Sequence, residues 1–142
     1  MANALYDAGR EGFLAGEIDW DTATIKVSLV RGYTYSSSHK FVSDVTGAGG
    51  GTLVATVTLT SKTITGGVAD ASDATFASVA SGASITSVII YQASAVTGGA
   101  DVAASAQRLI AYVDTMTNLP VTPNGGDIIV AWDNSTGKIF KL

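Results

Sequence analysis

The sequence predicts an all-β fold, an antiparallel β-sandwich preceded by one N-terminal α-helix. Three observations carry that expectation. Apolar residues alternate with Thr, Ser and Lys over several short runs, the two-residue period of a strand. Gly, Asn and Asp clusters punctuate those runs at short spacing, as in sandwiches and barrels. Only the first stretch shows a helical period, so no alternation of strands and helices points to a parallel sheet. The length, 142 residues, fits one domain over 1–142, with 1–16 as helix and 17–142 as sandwich. A chain of this size buries on the order of two thirds of its unfolded surface and needs no staples.

Asn3 to Gly16 reads as the helix. Asn3 is placed to cap it, and Leu5, Ala8, Gly9, Gly12 and Phe13 share one face. Asp7 and Arg10 stand at i,i+3 on the other side. Gly9 and Gly12 each weaken a helix by roughly 1 kcal/mol, so this one needs a surface to pack against. Gly16 stops it.

From Thr24 the period becomes two, and Ile25, Val27 and Leu29 point to one side of a strand. Tyr33–Lys40 reads as a polar Ser/Tyr surface loop, Phe41–Val45 as one helical turn or a lead-in, and Thr46–Gly51 as a flexible glycine loop. Thr52–Thr60 alternates again, with Leu53, Ala55, Val57 and Leu59 on one face. Lys62–Ile64 continues it after a break, and Gly66-Gly67 turns the chain. Ala74–Val79 is a short strand anchored by Phe76, and Ile85–Tyr91, the most apolar strand, belongs at the centre. Ala93–Ala106 reads as a mobile loop and Arg108–Asp114 as a strand. The prolines keep Leu119–Pro123 extended. Asn124-Gly125-Gly126 is a turn. Strands at Asp127–Trp132 and Lys138–Leu142, around a turn at Asp133–Gly137, predict a terminal hairpin.

Composition narrows the function. There is no cysteine, one histidine, 14% charged residues and a net charge of −4, so the chain has few groups for chemistry and no basic surface for phosphate backbones. Mean hydropathy is +0.33, yet the longest apolar runs, Val88–Tyr91 and Ile128–Trp132, are strand-sized rather than the roughly 20 residues of a membrane span. Apolar surface covered by a partner accounts for that hydropathy better. Met1-Ala2-Asn3 opens no apolar signal segment.

Each chemical motif has a plainer counterpart. Glu17, Asp19 and Asp21 alternate with Ile18 and Trp20, so an extended segment puts three carboxylates on one face. Three oxygens begin a Ca²⁺ site, which takes 6–8, but no EF-hand spacing is present and the solvated face of an edge strand is the simpler expectation. Asp70 and Asp73 sit in ordinary turn composition. His39 is the one candidate general base, beside Ser36, Ser37 and Ser38 and near Asp44. Ser37-Ser38-His39-Lys40 matches Ser-x-x-Lys without the companion motifs of penicillin-binding folds. Gly47–Gly51 fails the dinucleotide fingerprint at Thr52 and lacks the Gly-Lys-Ser/Thr of a phosphate loop. Asn134-Ser135-Thr136 fits a glycosylation sequon with no secretion signal beside it. No catalytic residue, metal or cofactor is therefore expected. The aromatic residues serve as core or interface anchors, and Tyr33 and Tyr35, in their polar loop, are the better surface-contact candidates.

Several segments together resemble a known group. Asn3-Ala4-Leu5-Tyr6-Asp7, Arg10-Glu11-Gly12-Phe13-Leu14-Ala15-Gly16, Ile18-Asp19-Trp20 and Ile25-Lys26-Val27 look like the start of small virion proteins of tailed bacteriophages. Leu119–Asp127, Trp132-Asp133-Asn134 and Lys138-Ile139-Phe140 are similar to their ending, and Val88–Tyr91 and Leu109–Tyr112 to their middle. Among these the chain most resembles a capsid cement, or head decoration, protein. That resemblance implies a jelly-roll-like β fold, a non-catalytic role, the major capsid protein and further copies of the chain (a dimer or trimer) as partners, and a place on the capsid exterior after synthesis in the host cytoplasm. The expected contact elements are the N-terminal helix, the Glu17–Asp21 segment and the Tyr33–Lys40 loop, with Leu5, Phe13, Trp20, Tyr33 and Tyr35 as interface residues. Removing residues 1–16 is then expected to leave the β core folded and to abolish shell binding. A tail or fibre component and a carbohydrate-binding sandwich that presents Tyr33 and Tyr35 to sugars are the alternatives.

Overall fold

The computed structural model describes residues 3–95, 99–116, 118–134 and 138–142. The fold is mostly β, and every strand pairing in it is antiparallel. In chain order the elements are β1 (Ala4–Leu5), α1 (Asp7–Leu14), β2 (Ile25–Arg31), α2 (Val42–Thr46), β3 (Thr52–Thr58), β4 (Thr63–Thr65), β5 (Val68–Asp70), β6 (Ala74–Phe76), β7 (Ser87–Gln92), β8 (Arg108–Val113), β9 (Ile128–Val130) and β10 (Phe140–Lys141). A single 3-10 turn covers Ala104–Ala106.

The principal sheet has the order β1-β8-β7-β2-β3. Its middle strand is β7, as its apolar sequence predicts, and every residue of β7 is buried. Alternating side chains of the central strands feed two separate cores. Val27, Leu29, Val88, Ile90, Ile110 and Val113 enter the larger one with Phe76, Trp20 and Trp132. Val30, Ile89, Tyr91, Leu109 and Tyr112 enter the smaller one with Tyr6, Tyr33 and Val45. A sheet covered on both faces reads as continuous apolar sequence, which is how Ser87–Gln92 and Arg108–Val113 read.

Two register shifts keep like with like. Between Leu29 and Val30 the partner on β3 jumps from Ala55 to Leu53, so Leu53 packs in the smaller core while Ala55 and Val57 pack in the larger. The expectation that Leu53, Ala55 and Val57 share one face is therefore corrected: an extra residue, Val54, resets the alternation. Ser28 departs from the half-buried pattern too. It is fully buried, and its hydroxyl is satisfied by Thr56 at 2.6 Å and by the Tyr91 hydroxyl at 3.4 Å.

Two small sheets complete the fold, β10-β5-β4 and β6-β9. The β4–β5 hairpin turns at Gly66 and Gly67, whose φ values of 60° and 79° are those a tight hairpin turn demands. The terminal hairpin does not form: β9 pairs with β6 and β10 with β5. Partner choice follows burial rather than proximity. Phe140 finds Trp20 edge-on at 5.1 Å and Phe13 at 5.7 Å, while Val130 joins Phe76 in the larger core. The expected turn at Asp133–Gly137 and the sequon fall partly on residues 135–137, outside the described residues.

The N-terminus also differs from expectation. The helix is shorter than Asn3–Gly16, because Ala4 and Leu5 form β1 against Tyr112 and Ala111 of β8. Asn3 does not cap α1; its side-chain oxygen accepts the backbone N–H groups of Asp114 and Thr115, each at 3.0 Å. Tyr6 holds the N-cap position without a side-chain cap. The predicted face is right at Ala8, Gly9 and Gly12, all buried, and Arg10 meets Asp7 at 3.5 Å. Gly16, at φ 73°, ends the turn. Glu17–Asp21 is loop and turn rather than an edge strand, although Ile18 and Trp20 are buried and the acids between them exposed. Ala93–Ala106 is anchored by a bridge from Ser94 to Asp101 and by Lys26 paired with Asp101; residues 96–98 lie outside the described set. Among the described residues no helix is long and apolar enough to cross a membrane.

Candidate interaction surface and the tyrosine cluster

Past α1 the chain doubles back under the helix. Gly12 makes room for this, since a Cβ there would lie 2.5 Å from the Ile18 side chain. Trp20 is then held by its indole N–H, which donates to the Asp70 carbonyl at 3.3 Å. With Phe13 and Phe140 it forms the aromatic floor of a groove of ≈ 350 Å³, walled by Ile18, Ile64 and Leu142. Ile64 and Leu142 are 55% and 59% exposed, and Leu14 of α1, next to Phe13, is 90% exposed. Ile64 belongs to β4, an edge strand whose three residues are all exposed. Thr-Ile-Thr carries none of the charges or prolines that usually protect an edge. Apolar side chains thus gather around an open groove, which makes this face the candidate interaction surface.

The acidic groups beside the groove do not converge. Glu17 pairs with Arg108, which also donates to the Ala8 carbonyl at 3.2 Å. Asp19 accepts the Thr22 hydroxyl and backbone N–H, and these bonds hold its carboxyl below the usual carboxylate range. Among the described residues no group of three or more His, Asp or Glu is placed to hold a metal ion. Asp73 accepts the Trp132 N–H at 3.0 Å, and Asp70 pairs with Lys138 at 2.9 Å.

The second assembly lies on the opposite face of the principal sheet. Tyr35 packs on Tyr112 at 4.7 Å between ring centroids and on Tyr6 at 5.3 Å, and Tyr33 meets Tyr112 edge-on at 5.7 Å. The Tyr33–Lys40 loop thus turns its aromatic rings inward and its serines outward. Tyr33 is only 8% exposed, contrary to its reading as a surface residue, because the sheet's second face needs apolar cover that α2 alone does not supply. The glycine run belongs to the same packing. A Cβ on Gly49 would fall 2.4 Å from the Tyr33 ring, and one on Gly51 would fall 2.9 Å from the Tyr33 Cβ. These glycines admit an aromatic ring, and the loop is pinned by backbone bonds from Gly49 to Asp44, Gly51 to Val45 and Thr34 to Gly49.

Burial pushes the phenols of Tyr6, Tyr33 and Tyr35 up, Tyr6 far above the ordinary range, and Tyr112 up to about 12. All four hydroxyls stay protonated near neutral pH. The Tyr6 hydroxyl donates to that of Tyr33 at 3.0 Å, and the Tyr33 hydroxyl lies 2.7 Å from His39 Nδ1. His39 is thus engaged by a tyrosine. The Ser36 and Ser38 hydroxyls bond each other at 2.8 Å. The Asp44 carboxylate accepts the N–H groups of Lys40 and Phe41, at 2.8 and 2.9 Å, which holds it below the usual carboxylate range and caps α2. These residues do not assemble the serine–histidine–carboxylate order of a triad. Lys40 extends over the Phe41 ring, 5.3 Å from its centroid.

The five residues expected at an interface divide accordingly. Phe13 and Trp20 come together in the groove, joined by Phe140. Tyr33 and Tyr35 come together over Tyr112. Leu5 is half-buried on β1 and packs against the larger core. Phe140 was expected as a core or interface anchor, but Ile64 and Leu142 were not anticipated at the groove, nor Tyr6 in the cluster. Ile64 carried a signal, an isolated apolar residue between threonines before a glycine turn, but its exposure depends on β4 being an edge.

Compared with known proteins, the chain matches no family model, and no curated protein sequence matches it.

Proposed function

We propose that this chain is a non-catalytic structural protein of a tailed-phage virion, a capsid cement or decoration protein that binds the major capsid protein from outside the shell and stabilises it. The observation that carries the reading is the apolar groove with its exposed rim at Ile64 and Leu142. The sequence resemblance supplies the partner class. On this reading the two small sheets and the principal sheet are the layers of a jelly-roll-like sandwich, and copies of the chain meet one another as well as the shell. Modest contacts suffice, because a repeating lattice multiplies them through effective concentration.

Cryo-electron microscopy of the native particle tests the proposal. Density of this fold outside the capsid shell is the expected result. Density confined to the tail would favour a tail or fibre component, and particles without the chain would exclude a virion role. Removal of residues 1–16 is a poor companion experiment, because it takes away the fully buried Tyr6 and the β1 pairing. Ile64→Glu and Leu142→Glu place charge on the rim instead and are expected to lower capsid occupancy in a folded chain.

A further inference from the structure

We infer that β4 pairs antiparallel with β4 of a second copy of this chain, about a two-fold axis through Ile64, and that the pairing joins the two apolar grooves into one seam. Backbone direction in the small sheet β10-β5-β4 is the starting point. Ile139 N–H donates to the Ala69 carbonyl at 3.2 Å, and Leu142 N–H to the Gly67 carbonyl at 2.9 Å. Gly67 and Ala69 therefore turn their backbone groups to β10, and the alternation of an antiparallel ladder turns those of Val68 and Asp70 to β4. Their partners on β4, Thr65 and Thr63, are bonded to them. Ile64, opposite Ala69, faces the other way, with its N–H and C=O pointing out of the sheet edge. The turn at Gly66 and Gly67 agrees, because a two-residue hairpin closes on a bonded pair, here Thr65 and Val68.

The edge is open, since Thr63 through Gly67 are all exposed. Outward backbone groups on an edge are met by another strand, and symmetry selects a second copy as its source. Thr63-Ile64-Thr65 reads the same in both directions. A two-fold axis at Ile64 sets Ile64 against Ile64, each N–H donating to the other's carbonyl, and Thr63 against Thr65, a favourable cross-strand pair. Lys62 then falls opposite Gly66, so no like charges meet. A slip of one residue would set Ile64 against a threonine whose backbone groups are spent on β5. The side chains obey the same symmetry. Ile64, Ala69 and Phe140 form one cross-strand row, and all three line the groove. A two-fold axis perpendicular to the sheet keeps that face on the same side in both copies, so the row continues through Ile64, Ala69 and Phe140 of the second copy. Ile64, exposed in a single chain, is covered by its counterpart. The inference gives a place and a register to the contact between copies included in the proposed function, and it rests on that part of the reading alone.

Cross-linking of the purified full chain tests the register. The sequence has no cysteine, so a single introduced thiol bridges only to another copy. Thr63→Cys and Thr65→Cys alter exposed side chains. Opposite residues at a non-bonded site lie about 4.5 Å apart between Cα atoms, within reach of a disulfide, whereas position 63 of one copy lies more than about 7 Å from position 63 of the other, and likewise for 65. Under mild oxidation, an equimolar mixture of the two variants is expected to form the mixed dimer about tenfold faster than either variant alone forms its own. Sedimentation equilibrium of the wild type at millimolar concentration is expected to show dimer. Ile64→Pro removes the outward N–H and leaves the bonds to β5, so it is expected to stay monomeric. Cross-linking no faster in the mixture, a wild type that is monomeric throughout, or an Ile64→Pro chain that still dimerises would overturn the proposal. Should Ile64→Pro fail to fold, the cross-linking decides alone. Capsid occupancy is a separate readout, so failure here leaves shell binding standing, and loss of shell binding leaves this contact standing.

Discussion

Gly9 of α1 rides on the Ile110 carbonyl of β8, so close that a Cβ at position 9 would stand 2.8 Å from that oxygen. The contact brings helix and strand backbones together at the β1 end of the sheet, and it sets two effects against each other. Alanine in place of glycine favours a helix by roughly 1 kcal/mol. Overpacking against rigid backbone costs about 1–3 kcal/mol. The clash is with main chain that cannot swing aside, so the overpacking outweighs the helix gain and Gly9→Ala is expected to destabilise the protein by up to about 2 kcal/mol, read as a lower urea midpoint. A rise in midpoint would show that α1 lifts off β8 at little cost.

Both tryptophans are tethered to the same stretch of chain. The Trp132 indole N–H donates to the Ser72 carbonyl at 3.1 Å, and that of Trp20 to the Asp70 carbonyl at 3.3 Å. Trp132→Phe preserves an aromatic ring but leaves the Ser72 carbonyl without that donor, and a loss of about 1–3 kcal/mol in denaturant unfolding is expected. A stability equal to wild type would mean that the ring alone, and not its N–H, holds β9 in place.

Asp44 makes the start of α2 sensitive to acid. Bonds from the Phe41 and Lys40 N–H groups hold its folded-state pKa below the ordinary value of 3.8. A depressed carboxylate contributes stability that is fully present above its unfolded pKa and is lost as pH falls through the folded one. Asp44→Asn removes that titration. Thermal unfolding followed from pH 6 down to pH 2.5 is expected to show the wild type more stable than the variant at pH 6, with the gap holding down to about pH 4 and closing below it. Parallel curves would remove Asp44 from the acid response.

Ile64 is the sharpest test of the exposed rim. It is 55% exposed on an edge strand, so Ile64→Lys should change unfolding stability by no more than about 0.5 kcal/mol. A charge on an edge also discourages strand-to-strand association. Sedimentation of concentrated protein is expected to show less self-association in the variant. A large loss of stability would mean that Ile64 packs into the fold.

The legible parts of this protein were those governed by local rules. The two-residue period of Ile25–Leu29 and the unbroken apolar run of Val88–Tyr91 mark strands whatever surrounds them, and Gly66-Gly67 marks a turn because its backbone conformation suits glycine. Residue chemistry alone also marked Trp20 as a core or interface anchor, and it is buried. Tertiary structure decided what touched what. A turn signal near Asp133 says that the chain reverses, but β9 and β10 pair with β6 and β5, where Val130 enters the larger core and Phe140 packs on Trp20. Polar neighbours suggested that Tyr33 faced water, yet the ring filled the uncovered face of a sheet, and Gly49 and Gly51 made the space. Asn3 looked like a helix cap until β1 formed and carried its side chain to the end of β8. Alternation and turn conformation are properties of neighbours along the chain, whereas burial depends on which distant surfaces are left to cover.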